Sequence, residues 1–186
     1  MGTIKTRWID TNVITNIIKT LPKSNIHIHM KSNDHIRLII TDAVEMEVNI
    51  FIKNINNNID CKFTDQINKL WSEMKKIITC EHIQMPIDKA RGLGENSIVQ
   101  GFIKDRIDNK KIVSNDMDVL KLMKKNKIDK KFFQTPFVFY EECLNGWFDN
   151  NTDMIKFLIL ANHDFRIYDV KYIGNILRKY GNIKHS

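Results

Sequence analysis

The sequence predicts an α/β fold in which short apolar strands alternate with amphipathic helices. Residues 7–9 have the length of a short strand and end in Trp8 and Ile9. Residues 13–18 follow with two apolar pairs at helical spacing, in a helix that Leu21 and Pro22 close. The same design recurs at residues 111–113 and in the helical pattern of residues 119–123. Two copies of a strand that runs directly into a helix indicate a sheet covered by helices.

An acidic side chain stands at the same place in each of these units. Asp10 and Asp116 each precede an apolar helical pair by one turn, and Glu95 stands in the same relation to Ile98 and Val99. Each acid should therefore point toward the sheet, at the edge where open α/β sheets bind ligands. Asp10 and Asp116 also suit a plain N-cap role, which needs no such orientation.

Length and composition favour one domain with additions and a polyanionic partner. The 186 residues are 42% hydrophobic, enough for a single core, and the formal net charge is +7 with a pI near 9.3. Basicity alone does not separate nucleic acid from an acidic membrane surface. We find neither a leader pattern nor an apolar run of spanning length, and we expect a cytoplasmic protein with no membrane association. The three widely spaced cysteines are typical of reduced thiols.

The segment before the second central strand predicts a hairpin. Residues 26–30 alternate with period two, and residues 31–34 are suited to a turn into the apolar strand 36–40. His27 and His29 would share one face of that hairpin, although two histidines without a third ligand rarely bind a metal.

Residues 41–55 fit both a strand and a helix, and we interpret them as a helix. Asp42 and Glu45 have the spacing of a capping box, and the preceding apolar run already supplies a strand. Glu47 then lies on the apolar face of that helix. A buried carboxylate costs several kcal/mol of solvation unless it is paired, and no capping role explains Glu47.

The other predicted elements are simpler. They are a helix over 63–78 with an apolar stripe that begins at Phe63, a short extended segment over 81–87, a helix introduced by Gly92 and Gly94, a buried strand over 132–139, and two helices over 152–161 and 169–180. The densest basic run follows Asp118. Its residues Lys121, Lys124 and Lys125 are candidates for contact with a nucleic-acid backbone, and a solvated face is the alternative.

Four segments together resemble the PIN-domain nucleases. These are Ile9-Asp10-Thr11-Asn12-Val13-Ile14, Thr41-Asp42-Ala43-Val44-Glu45-Met46-Glu47-Val48, Gly92-Leu93-Gly94-Glu95 and Ile112-Val113-Ser114-Asn115-Asp116-Met117-Asp118. They look like the acidic motifs of that family in the same order. The resemblance covers about the first three-quarters of the chain and is more specific than any one motif.

The resemblance implies a three-layer α/β/α sandwich with a mainly parallel sheet. Residues 1–146 would form the PIN-like domain, and residues 147–186 a helical extension that covers it or forms an interaction surface. The resemblance further implies an endoribonuclease whose catalytic acids are Asp10, Glu47, Glu95 and Asp116. The metal ligands that it implies are Asp10, Glu95, Asp116 and Asp118. Asn12 and Ser114 match positions that support the acids. The implied partners are RNA and, as in many members of that family, an antitoxin protein. The sequence does not decide whether the chain forms a homodimer.

The clustering of carboxylates itself predicts a cation. Like charges brought together repel, and a hard divalent ion such as Mg²⁺ or Mn²⁺ relieves that repulsion with oxygen ligands. Nothing near these motifs in sequence offers the thiolate and imidazole cluster that zinc prefers. The alternative is a nucleic-acid-binding or partner-binding module whose acids are vestigial. A phosphatase of another doubly wound family is disfavoured, because no second aspartate stands two residues after Asp10.

Overall fold

A computed structural model of the chain describes residues 4–24, 26, 28–57, 61–84, 92–164 and 170–180. Five parallel strands form one sheet in the order β3-β2-β1-β4-β5. The strands are β1 (Lys5–Ile9), β2 (Ile36–Thr41), β3 (Ile78–Glu81), β4 (Lys110–Val113) and β5 (Phe133–Gln134). The predicted α/β fold with a parallel central sheet is confirmed.

Helices cover both faces of the sheet. They are α1 (Thr11–Ser24), α2 (Asp42–Asn56), α3 (Cys61–Ile77), α4 (Leu93–Lys104), α5 (Met117–Lys125), α6 (Pro136–Phe139), α7 (Asn151–Asp164) and α8 (Val170–Tyr180). Neighbouring side chains of β1 show the two faces, because successive strand residues point in opposite directions. Trp8 lies against Gly101 of α4, whereas Arg7 is directed to Glu142, just beyond α6. The arrangement is the three-layer sandwich that the sequence predicts.

The core joins the early and late parts of the described chain. Apolar residues of α1 and of the strands β1 to β4 are buried together with Met154, Phe157 and Leu158 of α7, and the partly buried Phe133 of β5 packs against them. Asn16 of α1 donates a hydrogen bond to the carbonyl of Ala161, at 3.2 Å. Helix α7 therefore packs directly on α1 and shares its hydrophobic core. None of the described helices combines the length and apolar character needed to cross a bilayer.

One buried cation anchors the sheet to the segment after α6. Arg7 is 1% exposed and donates to a carboxylate oxygen of Glu142 at 3.0 Å. Gln134 of β5 donates to the same oxygen at 2.8 Å, and these interactions lower the pKa of Glu142 against the opposing effect of its burial. The sequence pattern places Arg7 in a strand and gives no signal for this pair.

The predicted hairpin before β2 is wrong. Ile28 forms an isolated antiparallel bridge with Phe148, whereas β2 pairs in parallel with β1 and β3. Period-two alternation shows that a segment is extended but does not choose its partner. His29 lies 3.3 Å from Asp149, and His27 lies outside the described residues.

Three local predictions also need correction. The strand predicted over 132–139 is only two residues long, because Pro136 begins α6; Pro lacks an N–H for a sheet and suits the first turn of a helix. Phe63 is 39% exposed and does not belong to the buried stripe of α3. The N-cap of α2 is Thr41 and not Asp42, since the Thr41 hydroxyl accepts the Val44 N–H at 3.3 Å.

Two predicted boundaries also shift. Strand β3 occupies residues 78–81, earlier than the extended segment predicted over 81–87, and residues 85–87 lie outside the described part of the chain. Helix α1 continues two residues beyond Pro22. The other predicted helices, including α2, α4, α5, α7 and α8, are present.

Candidate acidic site at the carboxyl edge of the sheet

The sheet topology creates a crevice between β1 and β4. From β1 the chain adds β2 and β3 on one side, and β4 and β5 lie on the other. Neighbouring strands whose connections leave in opposite directions open a crevice at their carboxyl ends, where α/β proteins bind ligands. Asp10 follows β1 and Ser114 follows β4, so both residues stand at this position.

Asp10 is buried in a network of donors. It is 3% exposed, and its carboxylate accepts hydrogen bonds from the Thr11 N–H at 2.8 Å, the Asn12 amide at 2.6 Å and the Ser114 hydroxyl at 2.5 Å. The Asn12 amide also lies 3.2 Å from the Ser114 oxygen. Asn12 and Ser114 thus hold the Asp10 carboxylate from two strand ends.

The surroundings of Asp10 favour its protonated form. Burial raises the pKa of Asp10 to about 7, the hydrogen bonds from Ser114 and Thr11 oppose this rise, and the charges of Glu95 and Asp116 add to it. Hydrogen bonds bring these acids close in space: Ser114 donates to Asp10 and accepts from the Asp116 N–H, and Glu47 accepts from Thr11 and from Gly94, which precedes Glu95. A bound cation would stabilise the ionised form that burial disfavours.

Glu47 links the start of α1 to the start of α4. Its carboxylate accepts hydrogen bonds from the Thr11 hydroxyl and, at 3.1 Å, from the Gly94 N–H. A Cβ atom at position 94 would lie 2.6 Å from a Glu47 carboxylate oxygen, so a larger residue there would displace that carboxylate. Glu47 is half-buried, as its place on the apolar face of α2 predicts, and hydrogen bonds compensate its burial.

Glu95 carries an unsatisfied oxygen. Helix α4 begins after Gly92, whose φ of 70° suits glycine, and this places Glu95 in the first turn. The Oε2 atom of Glu95 is buried and has no hydrogen-bond partner among the described residues. Burial raises the pKa of Glu95, and the charges of Glu47, Asp116 and Asp118 raise it further.

Asp116 and Asp118 complete the group at the start of α5. Asp116 is the N-cap and accepts the Asp118 N–H at 2.7 Å, and its own N–H donates to Ser114 at 2.9 Å. Asp118 is 68% exposed and pairs with Lys121 at 2.7 Å. The capping role considered for Asp116 is thus real, and it coexists with proximity to Asp10 and Glu95.

The donor set suits a hard cation. The acids Asp10, Glu47, Glu95, Asp116 and Asp118 lie together at one edge with the oxygens of Asn12 and Ser114. In the described part of the chain, no three His, Cys, Asp or Glu side chains are placed so that they could hold one ion. Asp10, Glu47 and Asp116 accept hydrogen bonds from protein donors, whereas the buried Glu95 Oε2 atom has no partner among the described residues and is the atom that a cation would satisfy.

No protein-family model and no curated protein matches the chain. The geometry of the acidic site is therefore the basis on which a function is proposed below. Its members come from the ends of β1 and β4 and from the helices α2, α4 and α5.

The three candidate lysines are arranged along α5. Lys121 is nearest to the acids and pairs with Asp118. Its pKa is raised by the hydrogen bond to Asp118 and by the charges of Asp118 and Asp116. Lys124 and Lys125 are exposed in the last turn of the helix. At a rise of about 1.5 Å per residue, Lys125 lies roughly 13 Å along the axis from Asp116. The structure thus separates one paired lysine from two that face solvent.

Two residues that contact the site were missed by sequence reasoning. Thr11 and Gly94 both bind Glu47, but the pattern suggested only a helix start for Thr11 and a tight entry for Gly94. A contact outside the acidic site was also missed, between His82 after β3 and Asp42 of α2, whose side chains lie 2.5 Å apart. A small residue directly before an acid was the available signal for Gly94. The other pairings depend on tertiary structure.

Proposed function

We propose that this protein is a Mg²⁺- or Mn²⁺-dependent endoribonuclease of the PIN-like kind. The observation that carries the proposal is the convergence of five carboxylates, from four separate sequence segments, at the crevice between β1 and β4. Burying acids together costs free energy unless a cation offsets their repulsion. A binding site for such a cation explains why the chain places them there.

The residues support a division of roles. Asp10, Glu95, Asp116 and Asp118 would hold the cation, with Asp10 fixed by Asn12 and Ser114. A divalent ion bound there supplies an activated water and stabilises developing charge on a phosphodiester. Both carboxylate oxygens of Glu47 already accept hydrogen bonds, which favours a role in positioning α4 and its Glu95.

RNA as the substrate rests on charge and on the family resemblance. A net charge of +7 attracts polyanions, although five carboxylates lie together at the acidic edge. Such an arrangement favours binding of a phosphate backbone next to a cation site. The resemblance to PIN-domain nucleases favours RNA over DNA.

A second candidate is a nucleic-acid-binding or partner-binding module without catalytic activity. One observation favours it: the acids have internal functions. Asp116 caps α5, Glu47 binds Thr11 and Gly94, and Asp10 accepts three hydrogen bonds. Carboxylates engaged in this way stabilise the fold without any ion. Binding of Mn²⁺ and cleavage of RNA distinguish the two candidates.

The decisive experiment is cleavage of end-labelled RNA with Mg²⁺ or Mn²⁺ and with EDTA. Wild-type protein should cleave only with the metal, and the double variant Asp10→Asn/Asp116→Asn should lose at least about 100-fold in rate, since metal stabilisation is worth several kcal/mol. Asp65→Asn/Asp108→Asn removes the same charge at exposed positions elsewhere and should retain activity. Equal cleavage by the wild type and the site variant, or cleavage in EDTA, would refute the proposal.

A further inference from the structure

The outer face of α5 carries a continuous exposed stripe that leads to the acidic site. Met117, Asp118, Lys121, Lys124 and Lys125 are all exposed and recur at helical spacing, whereas Val119 and Met123 face the core. The helix begins at Asp116, so the stripe starts beside the acids. From Asp118 to Lys125 it extends over roughly 10 Å.

The charges along this stripe are not equivalent. Lys121 is paired with Asp118 at 2.7 Å, which leaves it less available to a ligand. Lys124 and Lys125 have no acidic partner among the described residues, and neither have the exposed Lys127 and Lys130 in the segment that follows. Four unpaired ammonium groups in seven residues form a local site for anions.

Met117 adds an apolar contact at the other end. Its side chain is 64% exposed although it lies between Asp116 and Asp118, where a polar residue would be better solvated. A flexible, polarisable thioether makes favourable contacts with aromatic rings. At this position it can face a base next to the phosphodiester held at the acids.

We infer that the outer face of α5 is a binding track for single-stranded RNA, with Lys124 and Lys125 binding backbone phosphates and Met117 contacting a base beside the acidic site. The inference rests on the proposed function for its substrate, but binding is measured without cleavage. The track runs from the acidic site along α5 toward Lys127 and Lys130.

The test is binding of a short fluorescein-labelled single-stranded RNA of mixed sequence, by anisotropy in EDTA, over a range of salt concentrations. Each phosphate contact to a single strand contributes about 0.7 to the slope of log affinity against log salt. Lys124→Gln/Lys125→Gln should lower the magnitude of that slope by about 1.4 and weaken binding roughly 10- to 30-fold near 0.1 M salt. Met117→Ala should weaken binding with an unchanged slope.

The matched control is Lys53→Gln/Lys69→Gln. These lysines are exposed on α2 and α3 and have no acidic partner in the described structure. Their substitution removes the same charge as the α5 variant does. Lysines in a last turn also stabilise a helix, so thermal unfolding of each variant is measured in parallel. If the salt slope of RNA binding falls equally in the control and in the α5 variant, or falls in neither, the track is overturned.

The outcomes separate the track from the nuclease proposal. If the α5 variant shows a smaller salt slope of RNA binding but the wild type does not cleave RNA, the track is supported and the nuclease proposal is refuted. Metal-dependent cleavage with normal RNA binding by the α5 variant supports the nuclease and refutes the track.

Discussion

Asp10 is the residue whose chemistry depends most on its surroundings. An exposed aspartate titrates near 4, but burial raises the pKa of Asp10 to about 7, in spite of three hydrogen bonds. The folded protein therefore binds a proton at Asp10 between about pH 4 and pH 7, where the unfolded chain has released it. By linkage, this group lowers the free energy of unfolding as pH rises through that interval.

Asp10→Asn should accordingly stabilise the metal-free protein above pH 7. In EDTA we expect the free energy of unfolding at pH 8 to rise by about 1–2 kcal/mol. This is less than the pKa shift alone implies, because the asparagine side chain has one acceptor oxygen where the carboxylate has two. The gain should shrink as pH falls toward 4, where Asp10 is protonated in the folded protein and is as neutral as asparagine. Urea unfolding at the two pH values measures this, and a gain that is independent of pH would contradict it.

Gly94 and Glu47 should be coupled energetically. A methyl group at position 94 displaces the Glu47 carboxylate from its hydrogen bonds, so Gly94→Ala should destabilise the wild type by about 1–2 kcal/mol. In a Glu47→Ala background the clash is gone, and alanine should be neutral or stabilising in a helix. A double-mutant cycle measures the coupling, and additive effects would show that the two residues are independent.

At the scale of elements, the starts of α2 and α4 are joined by buried hydroxyls. The Thr41 and Ser97 side-chain oxygens lie 2.6 Å apart, and the Ser97 hydroxyl donates to the Gly94 carbonyl at 2.7 Å. This contact fixes the helix that carries Glu47 against the helix that carries Glu95. The geometry of the acids therefore depends on residues that are not acidic.

Ser97→Ala should lower the free energy of unfolding by about 1–2 kcal/mol. It removes the buried hydrogen bonds of the Ser97 hydroxyl with the Thr41 hydroxyl and with the Gly94 carbonyl. The control is Ser72→Ala on the exposed face of α3, which should change stability by less than about 0.5 kcal/mol. Chemical denaturation of both variants tests this. Equal stability of the Ser97 variant and the wild type would mean that the helix contact does not depend on the hydroxyls.

At the scale of the whole molecule, the proposed cation site predicts that stability depends on divalent cations. A ligand that binds only the folded state stabilises it by about 2.7 kcal/mol at 100 times its dissociation constant. Mn²⁺ should therefore raise the unfolding temperature of the wild type, and EDTA should reverse the effect. Asp10→Asn/Asp116→Asn should show no such rise. A wild-type unfolding temperature that does not respond to Mn²⁺ would favour the inactive module.

The strand-acid-helix units were predictable from sequence because their signals are local. Apolar spacing identifies α1 and α5, and the strands β1 and β4 precede them directly, so Asp10 and Asp116 could be placed at strand ends. The prediction was wrong where a local pattern has more than one solution. Alternation around Ile28 suggested a neighbouring strand, but its partner is Phe148; the apolar run around Pro136 suggested a strand, but proline begins a helix.

The sequence by itself determined the α/β class, the strand-end positions of the acids and the basic face of α5, because strand and helix periodicity and charge are written in neighbouring residues. Only the tertiary structure decided the strand order, the contacts of Glu47 with Thr11 and Gly94, and the raised pKa of Asp10. Those properties arise from burial and from groups far apart along the chain. Local patterns cannot specify them, because each depends on which segments meet in space.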